Sequence, residues 1–150
     1  MDQVDRVNYF DGPVDETTEF AFQVDRFMRR MNARVHAQAP LFDAERIGPI
    51  GGMILMALSE VQPAPMQRIV TMMGRDKAQL SRMFTNLERH DLVVRSANEA
   101  DQRSSLLSLT EKGEEFVGRI KSVVGGAVHE LIEPLSPKER TELLRLLAKT

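Results

Sequence analysis

"LVVRSANEADQRSSLLSLT", residues 92–110, decides the fold. Leu92-Val93-Val94-Arg95 and Leu106-Leu107-Ser108-Leu109 are short apolar runs with strand composition, joined by a ten-residue polar connection. Thr110 is placed to cap a helix that follows. A hairpin carrying Arg95 and Arg103 therefore stands between two helical segments, and its neighbours say what kind of domain holds it.

On the upstream side, Pro63 and Pro65 mark a turn, with Pro65 suited to the first position of a short helix, "PMQRIVTMM". That helix stops at Gly74. Asp76 can cap the next one, over roughly Lys77 to His90. Two helices joined by a few residues around a glycine form a helix-turn-helix. At helical periodicity Leu80, Met83, Phe84 and Leu87 share the core face of the second helix. Ala78, Arg82, Thr85 and Arg89 share the opposite face, with Ser81 and Asn86 at its margins. A polar outer face is ordinary for any surface helix. This one is small, basic or hydrogen-bonding and nearly free of carboxylates, with only Glu88 near its edge.

Further out, Phe20, Val24, Phe27, Met28, Met31 and Val35 make the apolar stripe of a helix from Glu16 to about Ala37, which "QAPLFDAERIGP" ends. A second helix runs from about Pro49 to Glu60, its start weakened by Gly51 and Gly52. After the hairpin, Glu111 to about Ile132 forms a long helix. Gly125-Gly126 in its middle implies a bend or a close approach by another backbone. Ser136, Pro137 and Glu139 give a strong start to a last helix, as cap, first residue and capping-box partner. The expected fold is mainly α with a small β-hairpin wing: a winged helix-turn-helix flanked by long terminal helices. In one domain, residues 1–15 are an arm, 16–46 and 111–150 carry the flanking helices, and 47–110 are the winged helix-turn-helix region.

Composition sets limits. The chain has 150 residues and 42% apolar content, enough for one domain with a core. Cysteine is absent, which excludes a disulfide framework and a thiolate metal or redox site and fits a cytoplasmic protein. No apolar run approaches the roughly 18 residues of a membrane span, and the acidic N-terminus is no signal peptide. The net charge of −2 argues against nucleic acid, but its distribution does not. Residues 64–110 are net positive, through Arg68, Arg75, Lys77, Arg82, Arg89, Arg95 and Arg103. Local charge matters more than the total to a phosphate partner.

"DQRSSLLSLT", with Asp101, Arg103 and then Leu109-Thr110, resembles the wing signature of the MarR family of bacterial transcription regulators, Asp-x-Arg-x5-Leu-Thr. "QLSRMFTNLERHDLVVR" resembles that family's recognition-helix segment, with Leu80, Ser81, Arg82, Leu87, Glu88, Leu92, Val93 and Arg95 in place. Asp91 departs from it, standing where the family usually has a glycine in a left-handed conformation, which Asp tolerates better than most residues.

The resemblance implies a homodimer with interlocked terminal helices. Its recognition helices would enter successive major grooves of a pseudo-palindromic operator in double-stranded DNA, with wings in the flanking minor grooves. On that reading the DNA-binding residues are Arg75, Lys77, Ala78, Ser81, Arg82, Thr85, Arg89, Arg95, Asp101 and Arg103. Arg103 enters the minor groove and Asp101 orients it. The resemblance also implies a small, often aromatic and anionic effector, making the protein a ligand-released repressor. The lining expected for it is Phe20, Val24, Met53, Met56, Ala57, Phe116 and Ile120, with Arg26, Arg30 or Arg46 as a carboxylate partner.

Competing readings remain open. A winged helix can serve as a protein-contact or architectural module with no operator of its own. Against this, the outer face of Lys77 to Arg89 lacks the aromatic anchors of a protein interface. A metal-responsive regulator would draw on His36, His129, Glu130 or Glu133. Neither a nucleophile elbow nor a phosphate loop nor a Cys/His cluster is present, so no catalytic residue, cofactor or metal ligand is assigned and an enzyme is not expected.

Overall fold

The computed structural model describes residues 15–38, 40 and 46–150. The expected arm, apart from Asp15, lies outside the described residues, as does most of the break between the first two helices. Six helices and three strands follow one another among the described residues: α1 (Glu16–His36), α2 (Gly48–Val61), β1 (Ala64–Pro65), α3 (Met66–Met73), α4 (Lys77–Arg89), β2 (Val93–Ala97), β3 (Ser105–Leu109), α5 (Glu111–Ile132) and α6 (Pro137–Leu147).

Side-chain caps fix four of the helix starts. Asp15 accepts the Thr18 N–H at 2.7 Å, so it begins α1 instead of ending an arm. Asp76 accepts the Gln79 N–H at 2.9 Å, and Thr110 accepts the Gly113 N–H at 3.0 Å. Ser136 and Glu139 close a reciprocal capping box on α6. Gly74 ends α3 with φ of 57°, the left-handed conformation that lets the chain turn at once into α4.

The sheet corrects the expected two-stranded hairpin. It has three antiparallel strands in the order β1-β3-β2, with Ala64 opposite Leu107 and Val93 opposite Leu109. Pro65 belongs to β1 and sits at the N-cap of α3, not inside the helix. Proline lacks an N–H to donate, so a two-residue edge strand is where a sheet tolerates it. Gln62 ties this edge down, its Oε1 accepting the Leu109 N–H at 2.7 Å.

The core lies under this sheet and between the helices. Ile54, Leu55, Leu58, Ile69, Leu80, Phe84, Leu87, Leu92, Leu107 and Phe116 are fully buried. Truncating one such aromatic, Phe84→Ala, costs about 3–5 kcal/mol by lost transfer energy and the cavity left behind. By contrast, α1 and α6 bury no residue at all. Their apolar stripes are open, with Phe20 64%, Phe22 57%, Leu144 70% and Leu147 55% exposed. Helix α5 is continuous through Gly125-Gly126, and a Cβ at either would meet nothing within 4 Å. No close approach among the described residues explains that pair.

One glycine that no sequence pattern singles out has a strict reason. A Cβ at Gly113 would lie 2.1 Å from the Leu92 carbonyl oxygen, where the first turn of α5 crosses the end of the wing. Thr110 Oγ1 also donates to the Asp91 carbonyl oxygen at 2.6 Å, and Lys112 Nζ to that of His90 at 2.9 Å. Asp91 takes φ of 58°, the left-handed conformation expected at this position. These contacts lock the wing's root to α5.

Candidate nucleic-acid interface

Helix α4 packs Leu80, Phe84 and Leu87 into the core, with Met83 half-buried beside them. That packing turns Lys77, Ala78, Arg82, Thr85 and Arg89 outward, and all five are exposed, with Ser81 half-buried at the margin. Arg75 stands in the turn before the helix, also half-buried. Ala78 adds no bulk near the N-terminal end, where a helix approaches a groove most closely. Asn86 leaves this face: its Nδ2 donates to the Arg46 carbonyl oxygen at 3.2 Å and ties α4 to the segment before α2. Two guanidinium groups, a lysine and hydroxyls thus share one convex surface whose one carboxylate, Glu88 at the margin, pairs with Arg95, a donor-rich set suited to phosphates and base edges.

The wing presents Arg103 at its tip, exposed. Two consecutive turns shape this tip, closed by Asp101 N–H to Asn98 O at 3.2 Å and Ser104 N–H to Asp101 O at 3.0 Å. Asp101 Oδ1 accepts the backbone N–H of Arg103 at 3.0 Å. Asp101 therefore shapes the backbone at Arg103, and no ion pair between the two side chains is present among the described residues. The guanidinium stays available. Asn98 supports the same tip, its Oδ1 accepting the Ala100 N–H at 3.1 Å and its Nδ2 donating to Ser104 Oγ at 2.8 Å. Neither charge nor periodicity points to Asn98, although an Asx residue three positions before Asp101 is a usable turn signal.

Arg95 is placed differently from the other basic residues. Its Nε pairs with Glu88 of α4 and its guanidinium reaches Ser105 Oγ at 3.2 Å. The pair bridges α4 and the wing.

The expected effector residues divide. A cleft of about 310 Å³ between α1, α2 and α5 brings together Met53, Met56, Ala57 and Ile120, with Met28, Met31, Asn32, Val35, His36 and Glu60. Phe20 and Val24 do not line it. They lie nearer the N-terminus of α1, Val24 one turn before Met28 and Phe20 about 12 Å along the axis before it at 1.5 Å per residue. Phe116 is fully buried in the core and does not line it either. Arg26, Arg30 and Arg46 are likewise absent from the lining. The additional lining residues follow the α1 stripe at helical spacing, so the periodicity holds the signal and only the end of the helix differs from expectation.

No three metal-ligating side chains are grouped among the described residues. His36 lines the cleft, and Glu130 is paired with Arg34 at 2.8 Å. No helix among the described residues is long and apolar enough to cross a membrane.

A family model, that of the MarR family, matches residues 52–105, which run from α2 through the wing. Among solved structures, a MarR-family transcriptional regulator from Silicibacter pomeroyi is similar at 24% identity and a TM-score of 0.74, over 91% of this chain and 90% of that one. MepR of S. aureus in a DNA complex is 23% identical with a TM-score of 0.67, over 87% and 94%. A mutant MarR of E. coli complexed with operator DNA is 22% identical with a TM-score of 0.62, over 89% and 91%. At these identities the likeness establishes a common fold.

Proposed function

We propose that this chain, whose winged-helix segment belongs to the MarR family, is a sequence-specific DNA-binding transcriptional regulator acting as a homodimer. The single observation that carries this reading is the basic outer face of α4, whose one marginal carboxylate is paired with Arg95, set beside a wing whose tip holds Arg103 exposed. The fold shared with two proteins described in complex with DNA supports it. In this reading Lys77, Ala78, Ser81, Arg82, Thr85 and Arg89 meet a major groove. Arg75 adds a phosphate contact, and Arg103 enters the adjacent minor groove, where the potential is most negative. Asp101 positions Arg103, and Arg95 holds the wing against α4. The protein is a binding protein, with no catalytic residue assigned.

Two further parts of the reading concern assembly and control. The open stripes of α1 and α6 pair with those of a second copy, since patches of this kind on a lone chain would be a liability. The division of labour is then 47–110 for DNA and the flanking helices, 16–46 and 111–150, for dimerisation. The cleft between α1, α2 and α5 holds a small effector that changes the spacing of the two recognition helices and releases the operator, so the regulator is a repressor. Effector and DNA then weaken each other equally, typically by about 1–3 kcal/mol.

Fluorescence anisotropy with labelled duplexes tests the DNA-binding core of this reading. Salt-sensitive binding with a preference among duplex sequences is expected. Equal, weak binding to every duplex would favour the architectural alternative.

A further inference from the structure

We infer that the cleft between α1, α2 and α5 takes a small amphiphilic cation with a flat apolar body, not the organic anion that the family resemblance implies. The inference rests on the proposed use of this cleft as an effector site and names the ligand's chemistry.

The apolar part of the wall is built from Met28, Met31, Met53, Met56, Val35 and Ile120. Thioether side chains are polarizable and re-pack easily around flat ligands. The volume of about 310 Å³ lies at the small end of ligand pockets and suits a body of two fused rings.

The polar groups in the lining are Asn32, His36 and Glu60. No lysine or arginine is among them. Of the arginines of α1, Arg34 pairs with Glu130 at 2.8 Å, Arg29 with Asp25 at 2.9 Å and Arg26 donates to Gln23, while Arg30 does not line the cleft. Glu60 is exposed and has no ion-pair partner among the described residues. An anion entering the cleft would lose water, gain no positive partner and face the Glu60 carboxylate. Burying an unpaired charge in this way is costly. A cation gains that same carboxylate at the rim and polarizable sulfur along its body, while Asn32 and His36 supply hydrogen-bonding groups.

The test is calorimetric titration of the free full-length chain with three probes of one shape: naphthylmethyl-trimethylammonium, naphthoate and neutral naphthalenemethanol. Mildly alkaline pH keeps imidazole side chains neutral. The ammonium is expected to bind about tenfold more tightly than naphthoate, the scale of one charge interaction near a protein surface. Glu60→Gln should lower the ammonium's affinity severalfold and leave the alcohol's unchanged. Met53→Lys, at a half-exposed position, should reverse the preference in favour of naphthoate. Naphthoate binding as tightly as the ammonium, ammonium binding indifferent to both variants, or no binding by any probe would overturn the inference. DNA is absent from these titrations. Failure of the DNA-binding reading shows instead in duplex binding, and the two failures are separate.

Discussion

The Asp101 carboxylate accepts the backbone N–H of Arg103 at 3.0 Å, while the Arg103 guanidinium projects from the wing without an ion-pair partner among the described residues. The carboxylate shapes the turn and leaves the guanidinium free; in the proposed function that charge meets DNA. Arg103→Ala should therefore weaken duplex binding with the melting temperature unchanged. It should also flatten the log–log salt dependence by about one unit for each phosphate no longer neutralised. Asp101→Asn keeps the acceptor and should bind nearly as the parent does, whereas Asp101→Ala should not. If Asp101→Ala binds normally, the turn does not depend on this carboxylate.

Gly113 faces the Leu92 carbonyl so closely that an added Cβ would lie 2.1 Å from its oxygen. Gly113→Ala must push α5 away from the wing's root. A loss of about 3 kcal/mol is expected, at the upper end of overpacking costs, read as a lower denaturant midpoint. Asp91→Gly, at φ of 58°, should be neutral or mildly stabilising, and Asp91→Ala should cost about 1 kcal/mol. An unchanged midpoint for Gly113→Ala would mean that the close approach relaxes freely.

The periodic and punctuated parts of this fold were legible in the sequence. Asp76, Thr110 and Ser136 each cap the helix expected of them, because capping depends on a few adjacent residues. The outward set on α4 was legible because Leu80, Phe84 and Leu87 fix the helix's rotation. What was not legible depended on distant partners. A strand of two residues, Ala64–Pro65, exists only because β3 pairs with it, and no local pattern announces it. The resemblance that places Arg95 among the DNA-binding residues does not reveal that Glu88 and Ser105 also engage it. The cleft lies on the expected helices, but where α1 crosses α5 is set by tertiary packing, which places its lining at Met31, Val35 and His36 instead of Phe20 and Val24.

Phe20, Phe22, Leu144 and Leu147 stand open on helices with no buried residue of their own. Covering such side chains is worth about 1.5–3 kcal/mol each. Sedimentation velocity should find the full chain as a dimer, and Leu144→Glu combined with Leu147→Glu should give a folded monomer. A dimer that persists in the double variant would remove α6 from the interface.

Glu139 is held below the ordinary carboxylate range, first by the Ser136 backbone N–H and then by its side chain. Asp15 is held low in the same way by the Thr18 N–H. A carboxylate with a depressed folded pKa contributes its cap fully above its unfolded value and loses it as pH falls through the folded one. Fraying of α1 and α6 should therefore begin on the acid side, not on raising the pH. An NMR titration of the Glu139 carboxyl should show its pKa rising only part of the way toward the ordinary value in Ser136→Ala, which removes the hydroxyl and keeps the backbone N–H. No change in that variant would mean that the hydroxyl has no share in holding the carboxylate low.

The most direct test of the central claim is selection of duplexes from a random pool by the full-length chain, repeated with Arg82→Ala. Enrichment of a pseudo-palindrome whose half-sites lie about one helical turn apart is predicted. In the variant, a loss of about 1–3 kcal/mol and relaxed preference within each half-site are predicted as well. A pool that shows no enriched sequence, or an Arg82→Ala chain that selects the same site with the same affinity, would contradict the claim.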